Sequence, residues 1–289
     1  MICDICPRKC KVDRNNGLGF CGMTNDVLVA KADLFLWEEP VISGTNGSGA
    51  GFFSGCNLKC CFCQNYEISS GKKGKKITVE RLAQIFKELE QKGAHNINLV
   101  SPSHYVTQII QALEIYKPNI PIVYNSNGYE KVQTIKKLQK YVDIFLVDLK
   151  FCDNTLSQKY CKAKDYFLTA TNAILQMLNQ QPKVIIKNGI MKQGVIIRHL
   201  VMPSCSADSK KVLDWIAKNA KNNVLVSLMS QYTPCYKSYE FEEINKKLSP
   251  LEYKVILNYA VKLGLINGFS QDFESATTDF IPLWDFKGV

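Results

Sequence analysis

The stretch Cys56-Asn57-Leu58-Lys59-Cys60-Cys61-Phe62-Cys63 places four cysteines within eight residues. Cys56, Cys60 and Cys63 follow the spacing C-x3-C-x2-C, and thiolates are the usual protein ligands of iron–sulfur clusters. A cubane cluster normally takes four thiolates, so three would leave one iron open to a small molecule, as a catalytic zinc keeps an open position. Cys61 breaks the spacing if it replaces a neighbour, and we expect it to be packed as a small hydrophobic residue. A structural zinc knuckle is disfavoured because no fourth ligand stands at a suitable distance along the chain.

A second group of cysteines lies near the N-terminus, in a turn-rich segment with little apolar periodicity. Cys3, Cys6, Cys10 and Cys21 have the spacing C-x2-C-x3-C-x10-C. A segment this short cannot form its own core, so a bound metal is the natural means of holding it together. A tetrahedral zinc and a second four-iron cluster both satisfy four thiolates. Zinc would indicate a structural staple, whereas a second cluster would indicate an electron relay.

Composition excludes several other classes of protein. The chain has 289 residues, of which 46% are hydrophobic and 21% charged, which is typical of a globular enzyme rather than a disordered chain. Residues 1–4 carry neither part of a secretory signal, and no apolar run is long enough to span a bilayer. We therefore expect a cytoplasmic protein with no membrane segment. Because thiols stay reduced there, the twelve cysteines indicate metal or cluster binding rather than disulfides.

Apolar runs alternate with amphipathic helical patterns along most of the chain. Parallel strands are predicted at 97–100, 120–124, 144–147, 195–197 and 224–226. Helices are predicted from a cap at Thr78 to near Gly93, and around 106–116, 132–141 and about 155–180. The alternation predicts an α/β fold with a parallel sheet, open or closed into part of a barrel. Residues 41–51, which are rich in glycine, serine and threonine, are predicted to form a connector.

Polar residues follow each of the predicted strands. Because the carboxyl ends of parallel strands meet at one edge of a sheet, we expect these residues to line one polar mouth. They are Ser101-Pro102-Ser103-His104, Asn125-Ser126-Asn127, Asp148-Leu149-Lys150, Arg198-His199 and Ser230-Gln231-Tyr232. For His104 and His199, a role at the mouth and an ordinary hydrogen-bonded position are equally open.

The cysteine stretch resembles the signature of the radical SAM superfamily, C-x3-C-x-aromatic-C, with Phe62 at the aromatic position. More narrowly, the chain is similar to the pyruvate formate-lyase activating enzyme-like group. That similarity is carried by residues 38–45, 52–58, 63–66, 147–150 and 198–203. It implies a partial (β/α)6 barrel of TIM-like type over residues 41–289. A four-cysteine metal-binding segment with its connector would precede the barrel over residues 1–40.

The resemblance also implies the cofactors and the chemistry. A [4Fe–4S] cluster on Cys56, Cys60 and Cys63 would bind the amino and carboxylate groups of S-adenosylmethionine at its open iron. An electron from a low-potential donor, a flavodoxin or ferredoxin, would then cleave the sulfonium. The products would be methionine and a 5′-deoxyadenosyl radical that abstracts hydrogen from a substrate. Phe62 would lie beside the adenine.

One departure from the family pattern concerns the amino group of S-adenosylmethionine. Most relatives carry Gly-Gly-Glu after the second strand, whereas residues 101–104 read Ser-Pro-Ser-His here. Ser101 and Ser103 can accept a hydrogen bond from an ammonium group but offer no carboxylate. The detailed contacts of the cofactor therefore cannot be copied from relatives.

Four further polar residues are candidate cofactor contacts. Lys150 could pair with the methionyl carboxylate, and Asp148 with a cation or a ribose hydroxyl, although pairing of Asp148 with another strand-end group is the alternative. Arg198 suits a carboxylate or a ribose because its planar guanidinium can bind in a bidentate manner. Asn125 follows the neighbouring predicted strand and completes the set.

Three functions compete at this point. The first is a radical SAM enzyme that activates a protein by placing a radical on a glycine. The second is radical SAM modification of another peptide, a nucleotide or an RNA base. The third is a non-enzymatic, metal-stapled binding or electron-transfer protein, which is disfavoured because an electron carrier needs saturated clusters. Glycyl-radical activators often carry a ferredoxin-like insert after the cluster loop, and none stands between Cys63 and Thr78, so the sequence decides little between the first two.

Overall fold

The structure, a computed structural model, describes residues 2–271 and 281–289. Its strands are β1 (Val27–Phe35), β2 (Ser48–Phe53), β3 (Lys75–Ile77), β4 (Ile97–Val100), β5 (Ile122–Ser126), β6 (Ile144–Asp148), β7 (Ile185–Lys187), β8 (Ile190–Leu200), β9 (Val224–Met229) and β10 (Gly268–Ser270). Its α-helices are α1 (Pro40–Ser43), α2 (Tyr66–Ser69), α3 (Val79–Gln91), α4 (Val106–Ile115), α5 (Val132–Lys137), α6 (Asn154–Cys161), α7 (Tyr166–Gln180), α8 (Ser206–Asn219) and α9 (Pro250–Lys262).

A parallel sheet forms the centre of the molecule. The strand order is β10-β9-β8-β6-β5-β4-β2-β1-β3, with β7 paired to β8. Neighbours from β2 through β9 pair in parallel, which requires crossover connections, and helices α3 to α8 supply them. β10 adds a parallel strand at one edge, while β1 and β3 add antiparallel strands at the other. The predicted partial (β/α)6 barrel is confirmed.

Helix α1 packs inside the curve of the sheet. Ile42 is fully buried against Val123, Ile144, Leu146 and Ile196, which come from β5, β6 and β8. Val123 and Ile144 lie at the amino-terminal ends of their strands, so α1 fills the bottom of the barrel. The carboxyl ends of the same strands are left uncovered by α1. A space therefore remains above α1 on the concave face.

The prediction of a connector at 41–51 is wrong, because this stretch holds most of α1 and the first four of the six residues of β2. All residues of β2 are buried. A Cβ atom on Gly49 would stand 3.0 Å from both Ala94 Cβ and the Asn96 carbonyl oxygen. The small residues thus allow a close approach of backbones in the core, which the composition alone does not separate from a flexible loop.

Other helical and strand boundaries agree with the pattern in most places. The Thr78 hydroxyl accepts the Arg81 amide at 3.1 Å and caps α3, as predicted. The helix predicted at 132–141 is shorter, because α5 ends at Lys137 and the chain then turns. β1 lies within residues 1–40 and pairs with β2, while the domain boundary at residue 40 stays a prediction. No helix in the described ranges is long and apolar enough to cross a membrane.

Candidate active site

A cavity of about 670 Å³ lies within the barrel, above α1 and at the carboxyl ends of the strands. This volume is in the range of small-molecule and cofactor sites. Its wall carries Cys56, Cys60 and Cys63 together with Phe62, and no other cysteine is among the described lining residues. The three predicted ligands therefore share one cavity.

The cluster loop, residues 54–65, connects β2 to α2. Gly55 has a φ of +87°, and a Cβ there would stand 2.4 Å from Met23 and 3.0 Å from His104, so only glycine fits. The Cys61 amide donates to the Tyr160 carbonyl at 2.8 Å, which ties the loop to the end of α6. Cys61 itself is buried, in agreement with the expected packed role.

Each of the three thiols has a close polar neighbour. The contacts are Asn127 Nδ2 to Cys56 Sγ, Ser69 Oγ to Cys63 Sγ, and Cys161 Sγ to Cys60 Sγ, each at 3.3 Å. Burial raises the pKa of Cys56 and raises that of Cys63 to about 12. The Cys161 thiol, together with burial, raises the pKa of Cys60. The free thiols are therefore neutral at pH 7, and cluster binding would release their protons.

This set of thiols fits a cluster better than it fits a single ion. Among the residues described, no three Cys, His, Asp or Glu side chains converge closely enough to enclose one metal ion. A four-iron cluster does not require the three sulfurs to converge on one point, because each thiolate binds a separate iron at a separate corner of the cluster. The three half-buried sulfurs, facing one cavity with no fourth thiol on its described wall, match a cluster with one open iron.

The cavity is also lined by a network of charges centred on Arg198. Its guanidinium donates from Nε to Asp148 at 2.8 Å, from Nη2 to Asn125 at 2.7 Å and from Nη1 to Glu38 at 3.2 Å. Lys150 Nζ donates to the second Asp148 oxygen at 2.7 Å. Although burial acts to raise it, Arg198 and Lys150 hold the pKa of Asp148 below its ordinary value. Asp148 is therefore paired with other side chains at the strand ends, which was the alternative to a contact with a cation or a ribose hydroxyl.

Glu38 belongs to this network and was missed by the motif analysis, which noted it only as part of a family resemblance. Its Oε1 accepts the side-chain amides of Asn98 at 3.0 Å and Asn125 at 3.1 Å, and Oε2 accepts Arg198. Burial raises the Glu38 pKa to about 7 against the attraction of Arg198. Two acidic residues directly before Pro40, the first residue of α1, were the available signal.

The two serines predicted to contact S-adenosylmethionine lie in different surroundings. Ser101 lines the cavity at the end of β4, with a φ of +59° that is uncommon for a residue other than glycine. Ser103 is buried and does not line the cavity, since its hydroxyl donates to Glu130. Burial raises the pKa of Glu130 to about 7, although Ser103 counteracts it. Glu130 was also missed, because no motif marks it.

The two histidines that follow predicted strands occupy buried positions outside the cavity. His104 Nε2 lies 2.7 Å from the Ser54 carbonyl oxygen, and His199 bonds to the Leu149 carbonyl at 2.8 Å and to Ser209 at 2.9 Å. Burial lowers the pKa of His104 to about 3 and that of His199 to about 4, so both stay neutral. Their role is that of ordinary hydrogen-bonded residues.

The N-terminal segment, residues 2–26, keeps its cysteines away from the cavity. The Phe20 amide donates to Cys10 Sγ at 3.2 Å. Burial raises the pKa of Cys6 to about 12 and raises that of Cys21, while backbone amides act against it at both thiols. Backbone N–H groups thus face three of the four sulfurs, an arrangement that favours bound thiolates.

Arginine side chains fix this segment to the cluster loop. Arg8 Nε donates to the Asn57 carbonyl at 2.7 Å, and its guanidinium lies over the Phe20 ring at 3.9 Å. Arg14 is buried and donates to the His104 carbonyl at 2.6 Å. The segment is therefore attached to the cluster loop directly through Arg8, and through Arg14 to His104, whose ring lies 2.7 Å from the Ser54 carbonyl oxygen of the loop.

Comparison with known sequences agrees with these features. The family model of the radical SAM superfamily matches residues 51–193. An uncharacterized protein of Methanocaldococcus jannaschii is 34% identical over 274 residues, covering 91% of this chain and 75% of that protein. The pyruvate formate-lyase-activating enzyme of Clostridium pasteurianum is 26% identical over 215 residues, covering 70% of this chain and 82% of the enzyme.

Two solved structures share the fold. SuiB of Streptococcus suis, bound to its precursor peptide SuiA, has a TM-score of 0.51 at 13% identity and covers 75% of this chain. HydG, a maturase of the [FeFe]-hydrogenase, has a TM-score of 0.51 at 14% identity and covers 74% of this chain. The chain spans about half the length of each, 46% and 48% respectively.

The chain belongs to the radical SAM superfamily. Within it, the group it resembles is that of pyruvate formate-lyase activating enzyme, as predicted. Membership makes the protein an enzyme and implies a [4Fe–4S] cluster and S-adenosylmethionine as its cofactors.

Proposed function

We propose that this enzyme abstracts a hydrogen atom from a glycine of a protein or peptide substrate, as an activating enzyme does. Similarity to the Clostridium pasteurianum pyruvate formate-lyase-activating enzyme over 70% of this chain supports the proposal. The observation that carries the cofactor part is the single cavity shared by three cysteines and the Arg198 network.

In this proposal, Cys56, Cys60 and Cys63 hold the [4Fe–4S] cluster. With S-adenosylmethionine, the cluster supplies the hydrogen-abstracting radical chemistry of the superfamily. Cys161 and Asn127 orient two of the sulfurs through their contacts at 3.3 Å. The apolar walls limit the access of water to this part of the cavity.

The remaining predicted contacts divide between binding and positioning. Phe62 offers an apolar face for the adenine and is supported by Phe151 and Tyr232, with ring centroids at 6.3 and 6.1 Å. Lys150 donates one hydrogen bond to Asp148, and its remaining N–H groups can donate to the methionyl carboxylate. Ser101 lines the same cavity and can accept a hydrogen bond from the amino group.

Arg198, Asp148 and Asn125 act in this proposal as positioning residues, because their polar atoms already bond to one another. Arg198 holds Asp148 in place, and Asp148 in turn holds Lys150. Ser103 is left out of the binding set, since its hydroxyl is committed to Glu130.

We also propose a second metal site at Cys3, Cys6, Cys10 and Cys21. The backbone amides that face three of these sulfurs support it. Zinc and a second cluster are the two alternatives, and zinc would require the four sulfurs to move closer together, because among the described residues no three such ligands converge on one point. We place the enzyme in the cytoplasm, with a flavodoxin or ferredoxin as the electron donor. The net charge of +10 favours association with an acidic partner of that kind.

The test uses the reconstituted holoenzyme under anaerobic conditions with dithionite and S-adenosylmethionine. It is incubated with the protein fraction of cells grown on α-deuterated glycine and, separately, with the small-molecule and RNA fractions of cells grown in fully deuterated medium. We expect deuterium in 5′-deoxyadenosine only with the protein fraction. Transfer from either other fraction alone would replace the glycine proposal with modification of a nucleotide or RNA base.

A further inference from the structure

The side chains that line the cavity include more carboxylates than cationic groups. Among the described lining residues they are Glu38, Glu39, Asp148, Lys150 and Arg198. Arg198 pairs with Glu38 and Asp148, and Lys150 pairs with Asp148. Three carboxylates thus face two cations, and Glu39 is the carboxylate outside the network.

Glu39 is buried and unpaired. It is 8% exposed, and its Oε2 has no hydrogen-bond partner. No ion pair joins it to any other residue in the described ranges. A buried carboxylate without a partner is unfavourable, so a partner from outside the chain is expected.

Arg198 does not satisfy Glu39. The guanidinium donates from Nε, Nη1 and Nη2 to Asp148, Glu38 and Asn125. Burial acts to lower the pKa of Arg198, but the charge of Asp148 and, to a smaller extent, that of Glu39 raise it above its ordinary value. Glu39 therefore faces the same network from beyond ion-pair distance.

The position of Glu39 is rigid and lies on the floor of the cavity. Its carbonyl accepts the Ile42 amide at 2.7 Å and the Ser43 amide at 3.0 Å, which fixes it to α1 at the bottom of the barrel. The cluster loop instead follows the carboxyl end of β2 at the mouth. In the superfamily resemblance, the amino group of S-adenosylmethionine binds iron at that mouth, so Glu39 faces a different group.

Aromatic side chains line the same cavity. Among them are Phe35, Trp37 and Phe52, and the Phe35 and Phe52 rings meet edge to face at 5.6 Å. Trp284 packs on Phe52 at 5.3 Å and holds it in place. Aromatic faces attract cations and also accommodate an alkyl chain. A carboxylate with an aromatic wall suits a long side chain that ends in a cation.

We propose that Glu39 binds an alkylammonium or guanidinium group of the substrate and so selects polypeptide segments with a lysine or arginine near the reacting residue. The inference rests on the proposed function, because it assigns the cation to a polypeptide. Glu39 is then a specificity-determining residue beside the Arg198 network, directly before the first residue of α1.

The experiment measures binding to the holoenzyme saturated with S-adenosylmethionine and not reduced, so that no turnover occurs. The probes are acetyl-Lys-Gly-amide, its neutral counterpart acetyl-Gln-Gly-amide, and the free diamine cadaverine, titrated by calorimetry. For the wild type we expect at least about tenfold tighter binding of the lysine probe, equivalent to about 1.4 kcal/mol. In Glu39→Gln the preference disappears, whereas the Kd for S-adenosylmethionine is unchanged.

Three results would overturn the inference: equal affinity of the wild type for both peptides, a Glu39 effect on cadaverine alone, or weakened S-adenosylmethionine binding in Glu39→Gln with the lysine preference intact. The first comparison needs no variant, so misfolding of Glu39→Gln cannot hide the answer, and Glu39→Asp provides a second variant that keeps the charge. Deuterium transfer is measured separately. If the deuterium experiment contradicts hydrogen abstraction from glycine but the wild type still prefers the lysine peptide, the assignment of Glu39 stands and only the proposed reaction is wrong.

Discussion

The cluster loop and the N-terminal segment both gather cysteines, but the fold holds them in different ways. The loop continues directly from the buried strand β2 and bonds through its backbone to the end of α6. The N-terminal segment adds no strand of the sheet before Val27 and is attached through the side chains of Arg8 and Arg14. The sheet thus sets the geometry of the first group, whereas side-chain contacts and a bound metal would set that of the second.

The largest effect is expected from the loop. Cys56→Ala removes one of three ligands of a cluster that has no spare thiolate on the described cavity wall, so the iron and the formation of 5′-deoxyadenosine should fall to background. Stability should change little, because the sheet that carries the loop is intact. Iron and sulfide analysis, the visible absorbance and chromatography of 5′-deoxyadenosine measure the result.

Cys61→Ala and Cys161→Ala are matched controls for that variant. Cys61 is buried beside the ligands and Cys161 lies 3.3 Å from Cys60, yet neither is assigned to the cluster. Both variants should retain the iron. Loss of the cluster in Cys61→Ala, together with its retention in Cys60→Ala, would mean that the three ligands are assigned incorrectly.

In the N-terminal segment, the double variant Cys3→Ala/Cys6→Ala should lose its own metal and leave the radical SAM cluster in place. If the segment holds a second cluster, about half of the iron is lost, and if it holds zinc, the iron is unchanged and the zinc disappears. Metal analysis under anaerobic conditions distinguishes the two. Cys152→Ala, at a half-buried cysteine outside both groups, is the control. Unchanged iron and zinc in the double variant would contradict a second site.

The same contrast explains what could be predicted from the sequence. The strands from Ile97 onward were recognisable because a strand buried on both faces is a continuous apolar run. β2 was missed because its small residues look like a loop until the close contact at Gly49 is known. The three cluster ligands lie within eight residues, so their spacing was enough to find them.

Long-range contacts account for the residues that were missed. Glu38 meets Arg198 across 160 positions of sequence, and only the register of β6 and β8 brings Asp148 beside Arg198. Nothing in the sequence marks Glu39 as a functional residue except its position next to Glu38. Networks of this kind become visible only when the strand order is known.

A smaller effect is expected at Glu130, whose charge acts to raise the pKa of Cys6 in the N-terminal segment. Burial raises the Glu130 pKa to about 7, so the folded protein keeps a proton that the unfolded chain releases above about pH 4.5. The wild type should therefore lose stability as pH rises from about 4.5 to 7. Relative to Glu130→Gln, the loss should approach about 3 kcal/mol, since each pKa unit is worth about 1.4 kcal/mol.

Anaerobic urea unfolding at several pH values measures this difference. Glu114→Gln, at an exposed carboxyl on α4, controls for general effects of charge. Parallel curves for the wild type and Glu130→Gln would show that Glu130 is ionised in the folded protein. In that case, the contact with Ser103 would be an ordinary charged hydrogen bond.

The smallest effect concerns the attachment of the two regions to each other. Arg8 donates to the carbonyls of Asn57 and Lys162 and lies over Phe20, so Arg8→Ala should free the N-terminal segment at a local cost of about 1–3 kcal/mol. Hydrogen exchange over residues 2–26 should rise by about tenfold or more, while β2 and the cluster loop stay protected. Arg8→Lys keeps the charge but loses the planar fork that spans both carbonyls, and we expect it to restore only part of the protection. Equal loosening of the loop and the segment in Arg8→Ala would mean that they form one cooperative unit, contrary to the separate support described for each.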